Sequence, residues 1–403
     1  MFNKKKVLEQ GKKYDSFYLY DENIVLGNIE KLKESFPNVK FLYSVKSNHH
    51  PEMLKTIFSQ GIGADAASSN EVLKAFNNNV PKEEILYSAP GKSMEDIKIA
   101  FDKCIFTADS INEINILNDL GKEKNKIIEI GIRINPDFTL YSNSGVSNKF
   151  GIDEEILIEN IELIKSFKNI KIIGIHVHSS SQELNTEILK VYYRNMFILT
   201  KKVEDKLNLK LKFVNLGSGI GIPFSVNDNP VDVKDLGEEL NSLCEEFKDE
   251  IQGIQIYIET GRYLCGPSGV YATKVMDIKI SRGKKFVILK NTFNGFIRPS
   301  MEAFVKSYSR DPKMNEPLFT KKDAFQYVVL TDEKKLETVD LYGNLCTSTD
   351  LVGKDMLLPK IKIGDLIAIT NAGCYAAVLT PFQFSSQIPP KELYLKKDGT
   401  VIV

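Results

Sequence analysis

The sequence predicts a (β/α)₈ barrel of the TIM type followed by an antiparallel β domain. Between residues 38 and 262, eight short runs of β-branched and aromatic residues alternate with segments of helical periodicity. After residue 268 the helical periodicity mostly ends, and alternating apolar runs separated by turn residues take over. Doubly wound sheets also alternate strands and helices, but the count of eight and the length of about 230 residues favour the barrel.

Helix-start signals support the alternation between the predicted barrel strands. Pro51 suits the first turn of a helix, Ser93 can cap the segment after it, and Asp109-Ser110 precedes the periodic run Ile111–Leu120. The eight predicted strands are Phe41–Val45, Gly63–Ala66, Ile85–Ser88, Cys104–Ala108, Ile127–Ile134, Ile172–His178, Lys212–Leu216 and Ile254–Glu259.

The second domain is predicted from seven further runs, with Ser16–Tyr20 as a possible strand of the same domain. We expect the barrel to span residues 25–268 and the β domain to combine residues 1–24 with 269–403. The predicted strands are Val270–Ile280, Lys285–Lys290, Gln326–Thr331, Leu336–Leu341, Leu357–Ile363, Leu366–Thr370 and Glu392–Leu395.

Composition excludes several classes of protein. The 53 Lys and Arg residues balance 53 Asp and Glu residues, so there is no net field to hold a nucleic acid. No apolar run approaches the roughly 18 residues that span a bilayer, and no apolar segment follows the basic N-terminus. The 5 cysteines are scattered, which is typical of a reducing, cytoplasmic compartment. We expect neither a membrane nor a nucleic-acid partner.

Polar residues stand at the ends of the predicted barrel strands. Parallel barrel strands deliver their C-terminal ends to one face, so these residues would converge there, although strand ends are also polar simply because loops are. The set comprises Lys46, Asp65, Asp109, Arg133, His178, Gly217-Ser218-Gly219 and Glu259-Thr260-Gly261-Arg262.

Lys46 is a candidate nucleophile. A lysine at the end of an apolar strand is partly dehydrated, which lowers the pKa of its amine, and a neutral amine can form a Schiff base. On this feature alone, an ordinary surface lysine remains the commoner interpretation.

Two glycine-containing turns are suited to an anion. Gly217-Ser218-Gly219 follows the seventh strand, and Gly261-Arg262 follows the eighth. Backbone N–H groups and an arginine at these two strand ends match the usual phosphate position of barrels and indicate a phosphorylated cofactor.

His176 and His178 lie on one face of the sixth strand. They could bind a metal, but no histidine follows residue 178 to complete such a site. They could also be a packed pair. The remaining option is that His178 stacks on a planar cofactor whose phosphate accepts a hydrogen bond from Ser181.

Two segments of the β domain complete the set, Gly343–Asp350 around Cys346 and Asn371–Tyr375. In order, all these segments resemble the fold-type III pyridoxal-phosphate decarboxylases, which include diaminopimelate and ornithine decarboxylases. The resemblance covers residues 16 to 396. It implies an alanine racemase-like fold, a barrel plus a β domain, and pyridoxal 5′-phosphate as the cofactor.

The resemblance also implies roles for individual residues. Lys46 would hold the cofactor as an internal aldimine, with Asp65 and Glu71 close to the lysine. His178 would stack on the pyridine ring, and Glu259 would hydrogen-bond its nitrogen. Cys346 would enter from the partner subunit of a homodimer with shared active sites and help protonate the carbanion. The cofactor would also be surrounded by Arg133, Ser181, Gly217, Ser218, Gly219, Gly261, Arg262 and Tyr375.

Departures from the family pattern concern the substrate. Thr347 follows Cys346 where relatives have an acid that recognises a distal ammonium, and a neutral hydroxyl cannot offset a buried ammonium. Arg298 keeps the arginine that binds a distal carboxylate in diaminopimelate enzymes, and Asp350 and Tyr375 complete the expected substrate contacts. The combination resembles members that act on acylated or carrier-bound amino acids in siderophore or antibiotic pathways, which share a segment like Ala89-Pro90-Gly91-Lys92.

The sequence therefore predicts a cytoplasmic, homodimeric amino-acid decarboxylase whose substrate has an acidic or conjugated side chain, and which a carrier protein could present. Glu259 favours decarboxylation over racemisation, since alanine racemases of this fold have an arginine there. Diaminopimelate decarboxylase with an unusual distal site is the alternative. A pyridoxal-phosphate carrier and a metal-dependent hydrolase are the further alternatives, and we expect no metal.

Overall fold

The computed structural model describes residues 2–217, 219–308 and 323–403. Its strands are β1 Ser16–Asp21, β2 Val39–Ser44, β3 Gly63–Ala66, β4 Ile85–Tyr87, β5 Ile105–Ala108, β6 Ile128–Asn135, β7 Ile152–Asp153, β8 Ile170–His176, β9 Phe213–Asn215, β10 Gln255–Thr260, β11 Gly269–Ser281, β12 Lys284–Leu289, β13 Tyr327–Val329, β14 Leu336–Gly343, β15 Leu351–Pro359, β16 Leu366–Ile369, β17 Lys391–Leu395 and β18 Val401–Ile402.

Three helices begin at the predicted start signals, one at Pro51, one after Ser93 and one after Ser110. Ser93 accepts from the backbone of Asp96 in a reciprocal capping box, and Ser110 accepts from the backbone of Glu113. The helices are α1 Lys4–Gly11, α2 Glu22–Ser35, α3 Pro51–Phe58, α4 Ser69–Asn77, α5 Met94–Ala100, α6 Ile111–Lys124, α7 Glu154–Glu159, α8 Ile161–Ser166, α9 Thr186–Leu207, α10 Val233–Glu246, α11 Arg262–Cys265 and α12 Ile297–Tyr308.

Eight parallel strands form a closed barrel. Their order is β5-β4-β3-β2-β10-β9-β8-β6, and a further pairing between β5 and β6 closes the ring. All eight predicted barrel strands are confirmed to within a few residues of their ends. Gly174 on β8 has a packing reason, because a Cβ at that position would lie 2.3 Å from the ring of Phe213 inside the barrel.

The second sheet has nine strands and includes the N-terminal strand β1. Strands β15-β14-β12-β11-β1-β17-β18 form its main path, and β16 joins β11 to β13. The pairings of β1 with β17 and of β12 with β14 are parallel, so the sheet is mixed rather than wholly antiparallel. The prediction that Ser16–Tyr20 belongs here is confirmed, whereas β15 begins six residues before the predicted Leu357.

Two hydrogen bonds tie the loop after β2 to the segment after β16. Asn48 Nδ2 donates to Gly373 O at 2.8 Å, and the backbone N–H of Tyr375 donates to Ser47 O at 2.8 Å. The loop that carries Lys46 is therefore held by the segment that carries Tyr375.

Candidate active site

Lys46 lies two residues past the end of β2, next to the end of β3. Because Ser44 and Asp65 are partners in the β2–β3 register, the lysine amine reaches the carboxylate, with Nζ 2.9 Å from Asp65 Oδ2. The other oxygen of Asp65 accepts from Ser88 Oγ at 2.7 Å. Asp65 is fully buried, while the Lys46 side chain is 44% exposed. The buried carboxylate therefore fixes the direction of an accessible amine.

The expected direction of the Lys46 pKa shift is wrong. Desolvation lowers the pKa of the Lys46 amine, but the nearby Asp65, Tyr375 and Glu259 together outweigh it and raise the pKa above its ordinary value. The partner that reverses the sign comes from a neighbouring strand, which the sequence around Lys46 does not show.

Glu259, near the end of β10, is buried among nitrogen atoms from β8 and β9. Its Oε1 lies 3.1 Å from His176 Nε2 and accepts from Asn215 Nδ2 at 2.9 Å, while its Oε2 lies 3.6 Å from His178 Nδ1. Burial raises the pKa of the Glu259 carboxyl, but His176, His178 and Lys46 outweigh burial and leave it well below its usual range. Glu259 is therefore a carboxylate at neutral pH.

His178 is neutral at physiological pH. Burial lowers the pKa of its ring, Glu259 raises it, and the charges of Lys46 and Arg133 lower it further, to about 4. Its Nε2 lies 3.1 Å from Ser181 Oγ.

Gly261 and Arg262 border the same pocket as Lys46, and a Cβ at Gly217 would lie 3.2 Å from Nδ1 of His178, another lining residue. Gly217 has φ +67°, and a Cβ there would lie 2.3 Å from Val177 O, so this turn requires glycine. The guanidinium of Arg262 lies 4.8 Å from the Tyr375 ring centroid, and its Nη1 is buried without a hydrogen-bond partner. The pocket lining includes Lys46, His178, Ser181, Gly261, Arg262 and Tyr375.

Arg133, on β6, joins the same strand-end layer. Its Nη1 donates to Ser88 O at 3.2 Å and lies 3.8 Å from Asp109 Oδ1, and its guanidinium lies 4.4 Å from the Phe150 ring centroid. Ser88 thus touches both Asp65 and Arg133. The structure brings together the predicted residues from seven barrel strands, and Gly219, at φ +99°, completes the turn after Gly217. Ser218 lies outside the described residues.

A family model described as "Pyridoxal-dependent decarboxylase, pyridoxal binding domain" matches residues 23–266. The chain belongs to the pyridoxal-dependent decarboxylase family. It is a decarboxylase, a lyase that uses pyridoxal 5′-phosphate as its cofactor.

Three relatives span nearly the whole of this pyridoxal-dependent decarboxylase. The L-glutamyl-[BtrI acyl-carrier protein] decarboxylase of Niallia circulans is 29% identical, over 95% of this chain and 89% of its own. The diaminopimelate decarboxylase of Archaeoglobus fulgidus is 30% identical, over 90% and 84%. The 2-[(L-alanin-3-ylcarbamoyl)methyl]-2-hydroxybutanedioate decarboxylase of Staphylococcus aureus is 26% identical, over 94% and 93%.

Solved structures share the fold. The crystal structure of diaminopimelate decarboxylase from M. jannaschii with L-lysine superposes with a TM-score of 0.86 at 24% identity, covering 98% of this chain and 90% of that one. Similarity at this level shows the architecture, a barrel with an attached β domain.

The residues present fit pyridoxal phosphate. The pocket offers an accessible lysine amine, a buried arginine whose Nη1 has no hydrogen-bond partner, and Gly261, while the ionised Glu259 lies 3.6 Å from the pocket histidine, His178. An aldehyde, a phosphate and a protonated ring nitrogen are the groups that such donors and acceptors match.

The predicted substrate residues lie in the β domain. Arg298 is fully buried, its Nη1 donates to Cys374 O at 3.0 Å, and its Nε and Nη2 have no hydrogen-bond partner. Burial lowers the pKa of its guanidinium to about 10. Cys346 is exposed on the loop between β14 and β15, with Sγ 3.7 Å from Ser385 Oγ. Thr347, beside it, is half-buried.

Asp350 holds that loop together. It is 1% exposed; its Oδ1 accepts from Phe293 N at 2.9 Å and from Thr292 Oγ1, and its Oδ2 accepts from Leu345 N at 2.8 Å. Both carboxylate oxygens of Asp350 therefore accept hydrogen bonds from this chain, and these bonds organise the loop.

Sequence reasoning missed two buried groups near the site. Asn215 is fully buried and contacts Glu259; its place two residues before Gly217 was the available signal. Lys92 forms a buried ion pair with Glu113, with Nζ 2.5 Å from Oε1, and also donates to Ala89 O and Thr107 O at 2.7 and 2.9 Å. A lysine among apolar neighbours and a glutamate 21 residues later gave no local sign of pairing.

Among the described residues, no helix combines the length and the apolar character that a membrane crossing requires. Within the same ranges, no group of three or more His, Cys, Asp and Glu side chains is placed to hold a metal ion.

Proposed function

We propose that this decarboxylase acts on an amino acid whose side chain ends in an acidic or conjugated group rather than in a free amine. The observation that carries the proposal is the Cys346 loop. Its residue after the cysteine is the neutral Thr347, and its acid, Asp350, has both oxygens engaged by the chain itself. A substrate ammonium reaching this loop would find no free carboxylate, so its burial would be uncompensated.

The names of two relatives support this class of substrate. One relative acts on a glutamyl group carried by an acyl-carrier protein, and another on a hydroxybutanedioate conjugate of alanine. Both align with more than nine-tenths of this chain. Diaminopimelate decarboxylase is the second candidate, favoured by the retained Arg298 and by the 30% identical relative.

We assign the chemistry as follows. When bound, pyridoxal phosphate supplies the electron sink for the pair of electrons released as the bond to the carboxylate breaks. Lys46 would hold it covalently, and Asp65 would orient the lysine nitrogen. Glu259 would sit at the ring nitrogen and keep it protonated, and the neutral His178 would lie flat on the ring.

The remaining roles concern the phosphate and the proton that replaces the lost carboxylate. The turns at Gly217, Gly219 and Gly261, with Ser181 and Arg262, would bind the phosphate. Cys346 of the partner subunit would deliver the proton in a homodimer with shared sites. An exposed thiol on a loop of the β domain is consistent with such a role. We further propose a cytoplasmic location and the domain division at residues 25–268.

The covalent role is tested by reduction. Borohydride treatment of the holoenzyme should fix the cofactor on the peptide that contains Lys46, and Lys46→Ala should abolish both the label and carbon dioxide release. Lys55→Ala, which removes a lysine whose side chain is 70% exposed, is the matched control and should change neither. A label on another lysine would contradict the assignment.

The substrate class is tested with a panel of amino acids. We expect carbon dioxide release from glutamyl thioesters or amides to exceed that from diaminopimelate, lysine or ornithine by roughly a hundredfold or more, the discrimination that an unpaired buried charge imposes. Thr347→Glu should reduce this preference, because the new carboxylate could pair with a substrate ammonium. Efficient turnover of diaminopimelate by the wild type would favour the second candidate, and a cofactor-loaded protein that releases no carbon dioxide from any substrate would indicate a carrier.

The shared site is tested by mixing two inactive variants. Lys46→Ala and Cys346→Ala homodimers, dissociated and reassociated together, should regain about a quarter of wild-type activity, because half of the dimers would be mixed and each would hold one intact site. No recovery would contradict a site completed by the partner.

A further inference from the structure

We propose that Asn215 is a positioning residue that couples the Glu259 carboxylate to the Gly217 turn, and so fixes the two ends of the cofactor site relative to each other. The inference rests on the proposed roles of Glu259 at the ring nitrogen and of Gly217 at the phosphate.

The geometry of Asn215 places it between the two. It is the last residue of β9, in register with His176 on β8 and Tyr257 on β10, and it is 0% exposed. Its Nδ2 donates to Glu259 Oε1 at 2.9 Å, and its Oδ1 accepts from Gly217 N at 3.0 Å. One rigid side chain with two fixed partners therefore spans the carboxylate and the turn.

The orientation of the amide follows from its partners. A carboxylate can only accept and a backbone N–H can only donate, so the nitrogen of Asn215 must face Glu259 and its oxygen must face Gly217. Gly217 is held from its other side as well, since its carbonyl accepts from Glu259 N at 2.7 Å. Glu259, Asn215 and Gly217 thus form a closed ring of hydrogen bonds.

These hydrogen bonds do more than stabilise the fold, because two histidine side chains also lie close to the oxygens of Glu259. His176 Nε2 lies 3.1 Å from Oε1, and His178 Nδ1 lies 3.6 Å from Oε2. A carboxylate that was free to rotate would turn toward the imidazole of His176 or that of His178. The Asn215 donor fixes Oε1 toward β9 and leaves Oε2 directed toward the His178 side, where the cofactor ring would lie.

Two substitutions separate the bonds that Asn215 makes. Asn215→Leu keeps the approximate volume and removes both hydrogen bonds. Asn215→Asp keeps the shape and the acceptor for Gly217 N, but it replaces the donor to Glu259 by a second carboxyl group. Two carboxyl groups about 3 Å apart cannot both ionise, so this pair must retain a proton to well above the ordinary range of a carboxyl.

The measurement is the dissociation constant of pyridoxal phosphate from the reconstituted holoenzyme, followed by absorbance between pH 5.5 and 8.5 and expressed as the ratio of variant to wild type. We expect Asn215→Leu to raise this constant roughly tenfold to a hundredfold at every pH, as the loss of hydrogen bonds that include a charged one predicts. For Asn215→Asp the ratio should lie near one at low pH, where the shared proton restores a donor to Glu259, and should rise with pH as that proton is lost. His176, His178 and Lys46 are the other ionisable side chains around Glu259, and every variant keeps them.

Thr260→Val is the matched control. The hydroxyl of Thr260 is buried on the same strand as Glu259 and has no hydrogen-bond partner, so its removal should leave the ratio near one. A pH-independent ratio for Asn215→Asp would overturn the inference, as would wild-type affinity for Asn215→Leu. If Asn215→Leu does not fold, the isosteric Asn215→Asp decides alone. The test involves no substrate, so its failure leaves the proposed decarboxylation intact, whereas wild-type turnover by Glu259→Gln would remove the role of Glu259 itself.

Discussion

For the buried pair of Lys92 and Glu113, we predict that each single substitution lowers the free energy of unfolding strongly, whereas the double substitution lowers it much less than the two singles together. Their side chains are 0% and 5% exposed. Burial lowers the pKa of Lys92, only partly offset by Glu113, and burial raises the pKa of Glu113, only partly offset by Lys92. Both directions mean that the ionised pair is less favourable in the fold than in water.

The magnitude follows from these states. Lys92→Met would leave the Glu113 carboxylate buried without its partner, which costs about 3–5 kcal/mol. The cost is limited because Glu113 can take up a proton. From the ordinary pKa of 4.5, that step at pH 7 costs about 1.4 × 2.5, or about 3.5 kcal/mol. The corresponding limit for Glu113→Leu is about 1.4 × 3.5, or about 5 kcal/mol, from 10.5 for Lys92.

The double variant Lys92→Met/Glu113→Leu should be several kcal/mol more stable than the sum of its singles predicts, because it removes both desolvation costs and loses only the Lys92 hydrogen bonds to Ala89 O and Thr107 O. The assay is urea unfolding at pH 7, followed by circular dichroism. Lys126→Met is the matched control, since Lys126 Nζ is also 2.5 Å from a carboxylate, that of Asp102, but both side chains are 53% exposed; it should cost less than about 1 kcal/mol. A double variant as unstable as the sum of its singles would refute the reasoning.

Three further predictions concern the active site. Asp65→Asn should lower the pKa of Lys46, so that an amine-specific reagent labels Lys46 of the cofactor-free protein roughly tenfold faster at pH 7.5; an unchanged labelling rate would show that Asp65 does not control the amine. Because the folded-state pKa of His178 is lowered from 6.5 to about 4, the unfolded chain binds the proton first, and stability falls as pH drops through that window. The cofactor-free wild type should thus lose about 2 kcal/mol more than His178→Gln between pH 7.5 and 5 in urea titrations, and equal losses would contradict the pKa. Gly217→Ala should weaken pyridoxal phosphate binding at least about tenfold, because its φ is +67° and the new Cβ meets a carbonyl oxygen, whereas Gly61→Ala, with φ +70° and open space around it, tests the strain alone and should bind the cofactor normally.

The barrel was predictable because its signals are local. Each strand is a short apolar run with turn residues on both sides, and caps such as Ser93 mark the helices between strands. Strand ends of a parallel barrel share one face, so the convergence of Lys46, Asp65 and Glu259 followed from the fold alone.

The contacts that could not be predicted from the sequence are those that depend on which strands are neighbours. The parallel pairing of β1 with β17 joins segments about 370 residues apart. The raised pKa of Lys46 depends on the β2–β3 register, and the role of Asn215 on the position of β9 between His176 and Glu259. These contacts are set by tertiary packing, and no hydrophobic period or motif within one segment predicts them.

The central place of β1 in the second sheet has a consequence for biosynthesis. This strand, with four consecutive buried aromatic and leucine residues in Phe17–Tyr20, pairs with β11 on one side and β17 on the other. At about 5–20 residues per second, a ribosome needs roughly 20–75 s to proceed from Asp21 to Lys391, where β17 begins. During that interval the barrel strands and β11 are synthesised, so β11 can pair with one edge of β1 while the edge that pairs with β17 stays open, and nascent chains stalled before residue 391 should bind chaperones through Phe17–Tyr20.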